Sequence, residues 1–260
     1  MKLLQLLGMN FSLSLRRELA FRANLVFQLL LTTLNIASGF VVLSVIYTQT
    51  QTLAGWSLGE SITLLGTFQV SSGIFSTFVE PNLSWFAGQV RDGKLDHVLL
   101  QPAPSLFMVS LGKCAPFALS QVALGLLATI LGIVQMGALP SWWGILSWLL
   151  LLAVGIVIAW AIRVLLASLA FWSPTAELDV FYSALWQFGR YPVDIYRQPL
   201  RFCLTYVLPF AFLATFPVSA LTSHADPFLP LTGLIVSSIA YLCVTLVWRA
   251  GLRRYTSATS

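Results

Sequence analysis

Long apolar stretches separated by short polar segments dominate this chain of 260 residues. Apolar runs of about 20 residues are long enough to cross a bilayer as helices. The pattern predicts an all-α integral membrane protein with a single transmembrane domain, residues 1–260. The six predicted spans cover about 25–47, 61–80, 106–136, 143–171, 202–221 and 229–248.

The start of the chain has a different pattern. In residues 2–22, leucines and Phe11 recur at helical spacing, while basic residues lie off that stripe. This pattern predicts an amphipathic helix that lies in the membrane interface. The segment lacks the continuous apolar core of a cleavable signal peptide.

Two polar segments interrupt the apolar pattern. The first, residues 82–105, breaks at Gly93 into two amphipathic pieces, and Leu95, Val98 and Leu99 share one helical face of the second piece. Such a short helix can rest on the bilayer or dock into a soluble partner. The second polar segment covers residues 173–201. Its predicted helix can lie in the interface or re-enter the membrane, and the sequence leaves both open.

Composition and charge place these elements relative to a membrane. Only 9% of the residues are charged, against about a quarter in soluble domains, which excludes a soluble protein. The predicted loops 48–59, 137–142 and 222–228 contain no Lys or Arg, and the cations gather on the opposite side. By the positive-inside rule, both termini and both polar segments should be cytoplasmic, in a multi-pass protein of the cytoplasmic membrane.

Candidate enzyme chemistry is sparse. Residues 88–95 resemble a phosphate-binding loop, but Leu95 replaces the required hydroxyl residue. The two histidines, His97 and His224, are predicted on opposite faces, so we expect no metal site and no catalytic residues. Three cysteines in apolar surroundings are expected to be buried thiols: Cys114, Cys203 and Cys243.

Charges and prolines near the spans allow alternatives. Lys113, near the cytoplasmic end of span 3, can extend toward water or pair with Glu80 at the end of span 2. Pro209 and Pro217 interrupt span 5, where each can produce a simple kink or form part of a re-entrant gate.

Two motifs carry a resemblance to a known family. The first, Gly93-Lys-Leu95-Asp96-His-Val-Leu99-Leu-Gln-Pro102, fits G-x-L-D-x-x-L-x-x-P. The second is Tyr191-Pro192-Val-Asp-Ile195-Tyr196, followed by Arg201 and a proline-containing span. Over nearly its whole length the chain resembles the permease subunits of type-2 ABC transporters, the exporter class. Gln101 departs from the arginine that this family often has before the proline.

The resemblance implies a transmembrane subunit without its own ATPase activity. Two such permeases, identical or related, would pair in the lipid bilayer with two ABC ATPase subunits, which bind ATP and Mg²⁺; no nucleic acid is expected as a partner. The first cytoplasmic loop would be the coupling helix, through Gly93, Leu95, Asp96, Val98, Leu99 and Pro102. A second cytoplasmic group would comprise Arg190, Tyr191, Pro192, Tyr196 and Arg201.

Function therefore has one leading interpretation and two alternatives. By the resemblance, the chain exports an unspecified substrate by alternating access. The first alternative is an ATP-independent carrier, for which Lys113 is the candidate essential charge. The second is a membrane scaffold that recruits a soluble partner.

Overall fold

Helices form all the regular elements in the part of the chain that the computed structural model describes, residues 2–20, 22–137, 139–173, 178–222 and 226–255. The all-α prediction is confirmed. The α-helices are α1 (Lys2–Leu19), α2 (Arg22–Gln49), α3 (Leu58–Phe78), α4 (Glu80–Leu83), α5 (Phe86–Arg91), α6 (Leu95–Leu99), α7 (Ser105–Leu111), α8 (Leu119–Met136), α9 (Trp142–Ser168), α10 (Leu178–Gln187), α11 (Leu200–Phe202), α12 (Thr215–Leu221) and α13 (Leu229–Arg254). Residues 174–177 of the second polar segment and His224 lie outside the described ranges.

Fewer helices than predicted have the length and apolar composition of a membrane span in the described residues. Among the described residues, four helices are long and apolar enough to cross a membrane: Ala23–Gln49, Pro116–Met136, Trp142–Phe171 and Leu229–Arg254. Leu58–Phe78 and Glu80–Arg91, which are bent by 45° at their junction, bring the count to five if they form one span. The six predicted spans are therefore not confirmed.

Small residues bring α3 and α8 into close contact. A Cβ atom added to Gly125 would lie 2.8 Å from the carbonyl oxygen of Gly66 and 2.8 Å from the backbone nitrogen of Val70. Only glycine allows the two backbones to approach so closely. The glycines at this contact therefore serve packing within the chain.

The predicted span 202–221 is folded back on itself. A π-helical turn (Cys203–Val207) follows α11, and a 3-10 turn (Phe210–Leu213) leads into α12. Leu213, near the tip, accepts a 2.7 Å hydrogen bond from Ser71 Oγ within α3. Both arms of this hairpin line one cavity through Thr205 and Ser219. The segment thus has re-entrant geometry, because its two arms lie side by side.

Helix α10 runs antiparallel to α3. The Tyr182 ring lies 6.0 Å from that of Phe75, and the Trp186 ring lies 6.0 Å from that of Phe68, earlier in α3. As the chain advances along α10, it therefore moves back along α3 toward Leu58.

This direction corrects the predicted topology. Trp56 Nε1 donates a 3.1 Å hydrogen bond to Asp194 Oδ2, although the sequence placed these residues on opposite sides of the membrane. The second polar segment therefore does not stay at one end of the bundle. We call the end that carries Trp56, Asp194 and Leu221 the hairpin end, and the end that carries α4–α6 the loop end.

The cysteines differ in exposure. Cys114 is buried as predicted, whereas Cys203 is half-buried and Cys243 is exposed on α13. An apolar sequence context therefore did not distinguish the core from the outer surface of the bundle.

Candidate functional site

The loop end is built from three short helices, α4, α5 and α6. Gly93, with φ of +68°, separates α5 from α6. The backbone nitrogen of Lys94 donates a 2.9 Å hydrogen bond to the carbonyl oxygen of Gln89 across this turn. Glycine adopts this left-handed backbone without a Cβ penalty. The predicted break at Gly93 is confirmed.

Leu95 lies inside the chain's own core. Its exposed fraction is 0%, as is that of Phe86 at the start of α5. The same core contains Phe171, after α9, and Trp248 of α13, whose rings lie 5.4 Å and 5.5 Å from the Phe86 ring. In this structure Leu95 has no surface to offer a partner, contrary to its expected role as an interface anchor. It secures α6 to the bundle.

The outward surface of α6 comes from its C-terminal end. Leu99 is 40% exposed and Leu100 is 85% exposed, while Val98 is half-buried against the core. His97 and Pro102 are also exposed. The exposed apolar pair Leu99 and Leu100 therefore forms a contact surface at the end of α6, and we call it the α6 patch.

Charged groups surround the turn before α6. Lys94 Nζ lies 3.0 Å from Asp92 Oδ2, and Arg91 Nε lies 3.7 Å from Asp92 Oδ1. The hydrogen bond from Lys94 holds the pKa of the Asp92 carboxyl below its usual range, so it stays ionised at neutral pH. The turn thus presents a solvated group of mixed charges.

The end of α13 contacts the same loop. Trp248 Nε1 donates a 3.1 Å hydrogen bond to Ser105 Oγ. Burial, followed by the nearby Asp96 carboxylate, raises the pKa of Tyr255 above its ordinary value. Asp96 is half-buried and close to Tyr255.

Glu80 and Lys113 do not form an ion pair. Glu80 Oε2 accepts a 2.8 Å hydrogen bond from Ser76 Oγ. The Lys113 side chain is exposed, and its backbone is held by Asn82: Lys113 N donates to Asn82 Oδ1 at 2.7 Å, and Asn82 Nδ2 donates to Lys113 O at 2.8 Å. Asn82 also donates to Phe78 O at 2.8 Å. A neutral amide therefore stabilises the break between α7 and α8, and the proposed pair is not formed.

The second predicted group is divided between two levels of the bundle. Arg190 lies beside Asn35, in the middle of α2. Arg201 pairs with Asp194 at the hairpin end. Tyr196 donates a 3.1 Å hydrogen bond to Phe188 O. Tyr191 is half-buried and Pro192 is buried. These residues do not form one cytoplasmic group, because the chain advances toward the hairpin end between residues 182 and 194.

A polar cavity of about 200 Å³ lies among α2, α3, α8 and α10. Its polar lining includes Asn35, Gln69, Ser72, Glu80, Gln121 and Arg190, and its aromatic lining comprises Phe68, Phe75, Tyr182 and Trp186. We call it the α10 cavity. Gln69 Oε1 accepts a 3.0 Å hydrogen bond from Gln121, and Trp186 Nε1 donates to Ser72 at 3.0 Å. The cavity therefore provides hydrogen-bonding groups beside an aromatic wall.

Sequence reasoning missed this cavity. The available signal was the presence of Asn35, Gln69 and Gln121 within apolar runs, where polar side chains are costly unless they have partners. Within the described residues, no group of three His, Cys, Asp or Glu side chains is arranged to hold a metal ion.

Long apolar helices packed as a bundle define this chain as a multi-pass membrane protein. The sequence model of the family described as ABC-2 family transporter protein matches residues 33–259. The chain belongs to this family and is a transmembrane permease component of an ABC transporter, which confirms the resemblance seen in its motifs. Comparisons with curated proteins and with solved structures found no significant match.

Proposed function

We propose that the chain is the permease subunit of an ATP-binding cassette exporter, and that its loop end faces the cytoplasm. A separate ATPase docks there on the α6 patch. The observation that carries this proposal is the contrast within α6: Leu95 is fully buried, whereas Leu99 and Leu100 are exposed. Family membership supplies the class of partner.

The attachment of α6 suits it to transmit movement. Leu95 shares its core with Phe86, Phe171 and Trp248, which belong to different elements of the loop end. Because packed cores resist deformation, a displacement of α6 carries the adjacent ends of α9 and α13 with it. Such coupling would allow ATP binding in the partner to drive alternating access.

ATP and Mg²⁺ are assigned to the partner. A phosphate-binding loop joins a strand to a helix, whereas residues 86–99 of this chain fold as two short helices joined at Gly93. This local structure does not supply the cradle of backbone N–H groups that phosphates require. The permease therefore provides the path for the substrate across the membrane, and its partner binds and hydrolyses ATP.

A second permease is supported by polar side chains at the level of the bilayer. Asn35 on α2 and Ser183 and Gln187 on α10 border the α10 cavity and are exposed on the outer surface of the bundle. Polar groups that face lipid are costly. We propose that a second permease subunit, identical or related, covers this side of the bundle.

The test of the α6 patch is a double variant, Leu99→Ala with Leu100→Ala. Truncation of a large interface anchor costs about 2 kcal/mol or more, roughly a thirtyfold loss of affinity. The variant should remain folded and inserted, while the ATPase encoded with it no longer co-purifies. The matched control is Leu139→Ala, a leucine 92% exposed at the hairpin end, which should retain the ATPase.

Three outcomes would contradict the proposal. Undiminished co-purification with the double variant would remove the α6 patch as the docking surface. Transport by vesicles that contain the permease alone would favour an ATP-independent carrier. If the ATPase binds but vesicles move no substrate, the chain is a scaffold.

A further inference from the structure

Arg190 occupies an unusual position for a cation. Its Nη2 atom donates to the carbonyl oxygen of Asn35 at 3.0 Å and to Asn35 Oδ1. Asn35 lies in the middle of the 28-residue helix α2, roughly 20 Å from either end at 1.5 Å per residue. Arg190 is therefore at mid-height of a bundle that crosses the membrane.

Within the described part of the chain, Arg190 has no carboxylate partner. Arg163 pairs with Asp179 at 2.6 Å, and Arg201 pairs with Asp194. Arg190 makes no ion pair of this kind, and its buried Nε atom has no hydrogen-bond acceptor. A cation at bilayer depth is costly without a counter-charge.

Glu80 lines the same cavity but forms no ion pair with Arg190. It follows the loop end of α3, where the chain bends by 45°. Its carboxylate already accepts the hydrogen bond from Ser76. Among the described residues, the Arg190 guanidinium therefore lines the cavity without an ion-pair partner.

Two further buried polar groups in the cavity lack partners among the described residues. Gln69 is 2% exposed and has an unpartnered Nε2 atom, and Tyr182 is 4% exposed and has an unpartnered hydroxyl. Buried polar atoms in native structures are nearly always hydrogen-bonded. Unpartnered groups in a cavity therefore point to a ligand that supplies acceptors.

The rest of the cavity wall is aromatic. The rings of Phe75 and Trp186 are 4.6 Å apart, and those of Tyr182 and Trp186 are 5.7 Å apart. Phe68 extends this wall next to Gly189, the residue before Arg190. Such a surface favours an apolar body attached to the acidic group.

We propose that the α10 cavity binds an anionic amphiphile. Its acidic group, a phosphate or carboxylate, is held by the Arg190 guanidinium and the Gln69 amide. Its apolar body lies against Phe68, Phe75 and Trp186. The assignment of this ligand as transported cargo rests on the proposed exporter function, whereas binding itself does not depend on the ATPase.

The test uses the full chain in phosphatidylcholine nanodiscs and radiolabelled decyl phosphate in a scintillation proximity assay. Unlabelled decyl phosphate should compete for the site at far lower concentration than inorganic phosphate, which lacks the apolar body, or decanol, which lacks the charge. Equal competition by decanol would overturn the role of Arg190. Equal competition by inorganic phosphate would overturn the amphiphile assignment in favour of a free anion.

Substitutions of Arg190 test its role in binding. Arg190→Gln should weaken decyl phosphate binding roughly tenfold to a hundredfold, as expected for loss of a charged hydrogen bond. Arg190→Lys should recover part of this loss. The matched control Arg197→Gln removes an exposed arginine outside the cavity and should change affinity less than about twofold, since exposed charges contribute little.

The thermal unfolding midpoint of each variant separates loss of binding from loss of fold. A folded Arg190→Gln protein with unchanged affinity would overturn the proposal. Failure of the exporter assignment would instead appear as loss of ATPase co-purification from the wild-type chain, and would leave these affinities unchanged.

Discussion

Leu95→Ala distinguishes a core residue from an interface anchor. Leu95 is 0% exposed and belongs to the buried core at the loop end. Truncation of a buried leucine to alanine typically costs 2–5 kcal/mol, from lost transfer free energy and the cavity left behind. We expect the free energy of unfolding to fall by about 3 kcal/mol. For domains of comparable length, this corresponds to a decrease of roughly 6–12 °C in the unfolding midpoint.

The assay is thermal unfolding of the permease without its partner, monitored by fluorescence-detected size-exclusion chromatography. Leu95→Met keeps the side-chain volume and should recover most of the midpoint. Leu100→Ala, at a position 85% exposed, should change the free energy of unfolding by less than about 0.5 kcal/mol. If Leu95→Ala leaves the midpoint unchanged and abolishes ATPase binding, Leu95 is an anchor and our account of α6 is wrong.

Three further predictions concern the fold. Asn82→Ala removes three hydrogen bonds and should lower the free energy of unfolding by about 3 kcal/mol, measured in the same assay. Single cysteines at Trp56 and Asp194, in a cysteine-free background, should react with an impermeant thiol reagent from the same side of the membrane; labelling from opposite sides would contradict the 3.1 Å contact. Gly125→Leu should abolish folded protein by forcing α3 and α8 apart, while Gly8→Leu, where an added Cβ meets nothing within 4 Å, should not; equal yields would refute the close approach.

Local structure could be predicted from the sequence where local chemistry decides it. The helix break at Gly93 follows from the backbone freedom of glycine, and the structure shows positive φ there. Small residues in both α3 and α8 favour close helix contact, although the sequence leaves packing within the chain and dimerisation open. Both features depend on residues that lie near one another in sequence or repeat along one helix face.

The fate of residues 202–221 could not be predicted in the same way. Apolar length indicates burial, but a segment that crosses the membrane and one that enters and returns have the same composition. The contacts that decide its path join residues far apart in sequence. Ser71 donates a hydrogen bond to the Leu213 carbonyl, and Trp56 donates one to Asp194, just before the hairpin. The positive-inside rule then misplaced Arg197 and Arg201, because it was applied to a span count that included this hairpin.

The possible ion pair between Glu80 and Lys113 was inferred from their closeness in the predicted topology, and the structure does not contain it. Glu80 and Lys113 do lie near the same end of the bundle, yet a 2.8 Å bond to Ser76 satisfies the carboxylate and the lysine side chain is exposed. An exposed lysine keeps its hydration, so it gains little from an ion pair. Instead, the neutral Asn82 side chain joins α4 to the segment after α7 through hydrogen bonds with the Lys113 backbone. Reasoning from charges alone could not identify this residue.

The helix α6 shows why a shared helical face does not identify its partner. Leu95, Val98 and Leu99 recur at helical spacing, and this periodicity shows only that the face is apolar. In the structure that face divides: Leu95 is 0% exposed, Val98 is half-buried and Leu99 is 40% exposed. Helix α6 has only five residues, so its apolar face is not uniformly buried. Leu95 packs into the core, whereas Leu99 lies at the surface. We therefore place the proposed contact with a soluble ATPase on the α6 patch, which includes Leu100, a residue outside the predicted face and 85% exposed.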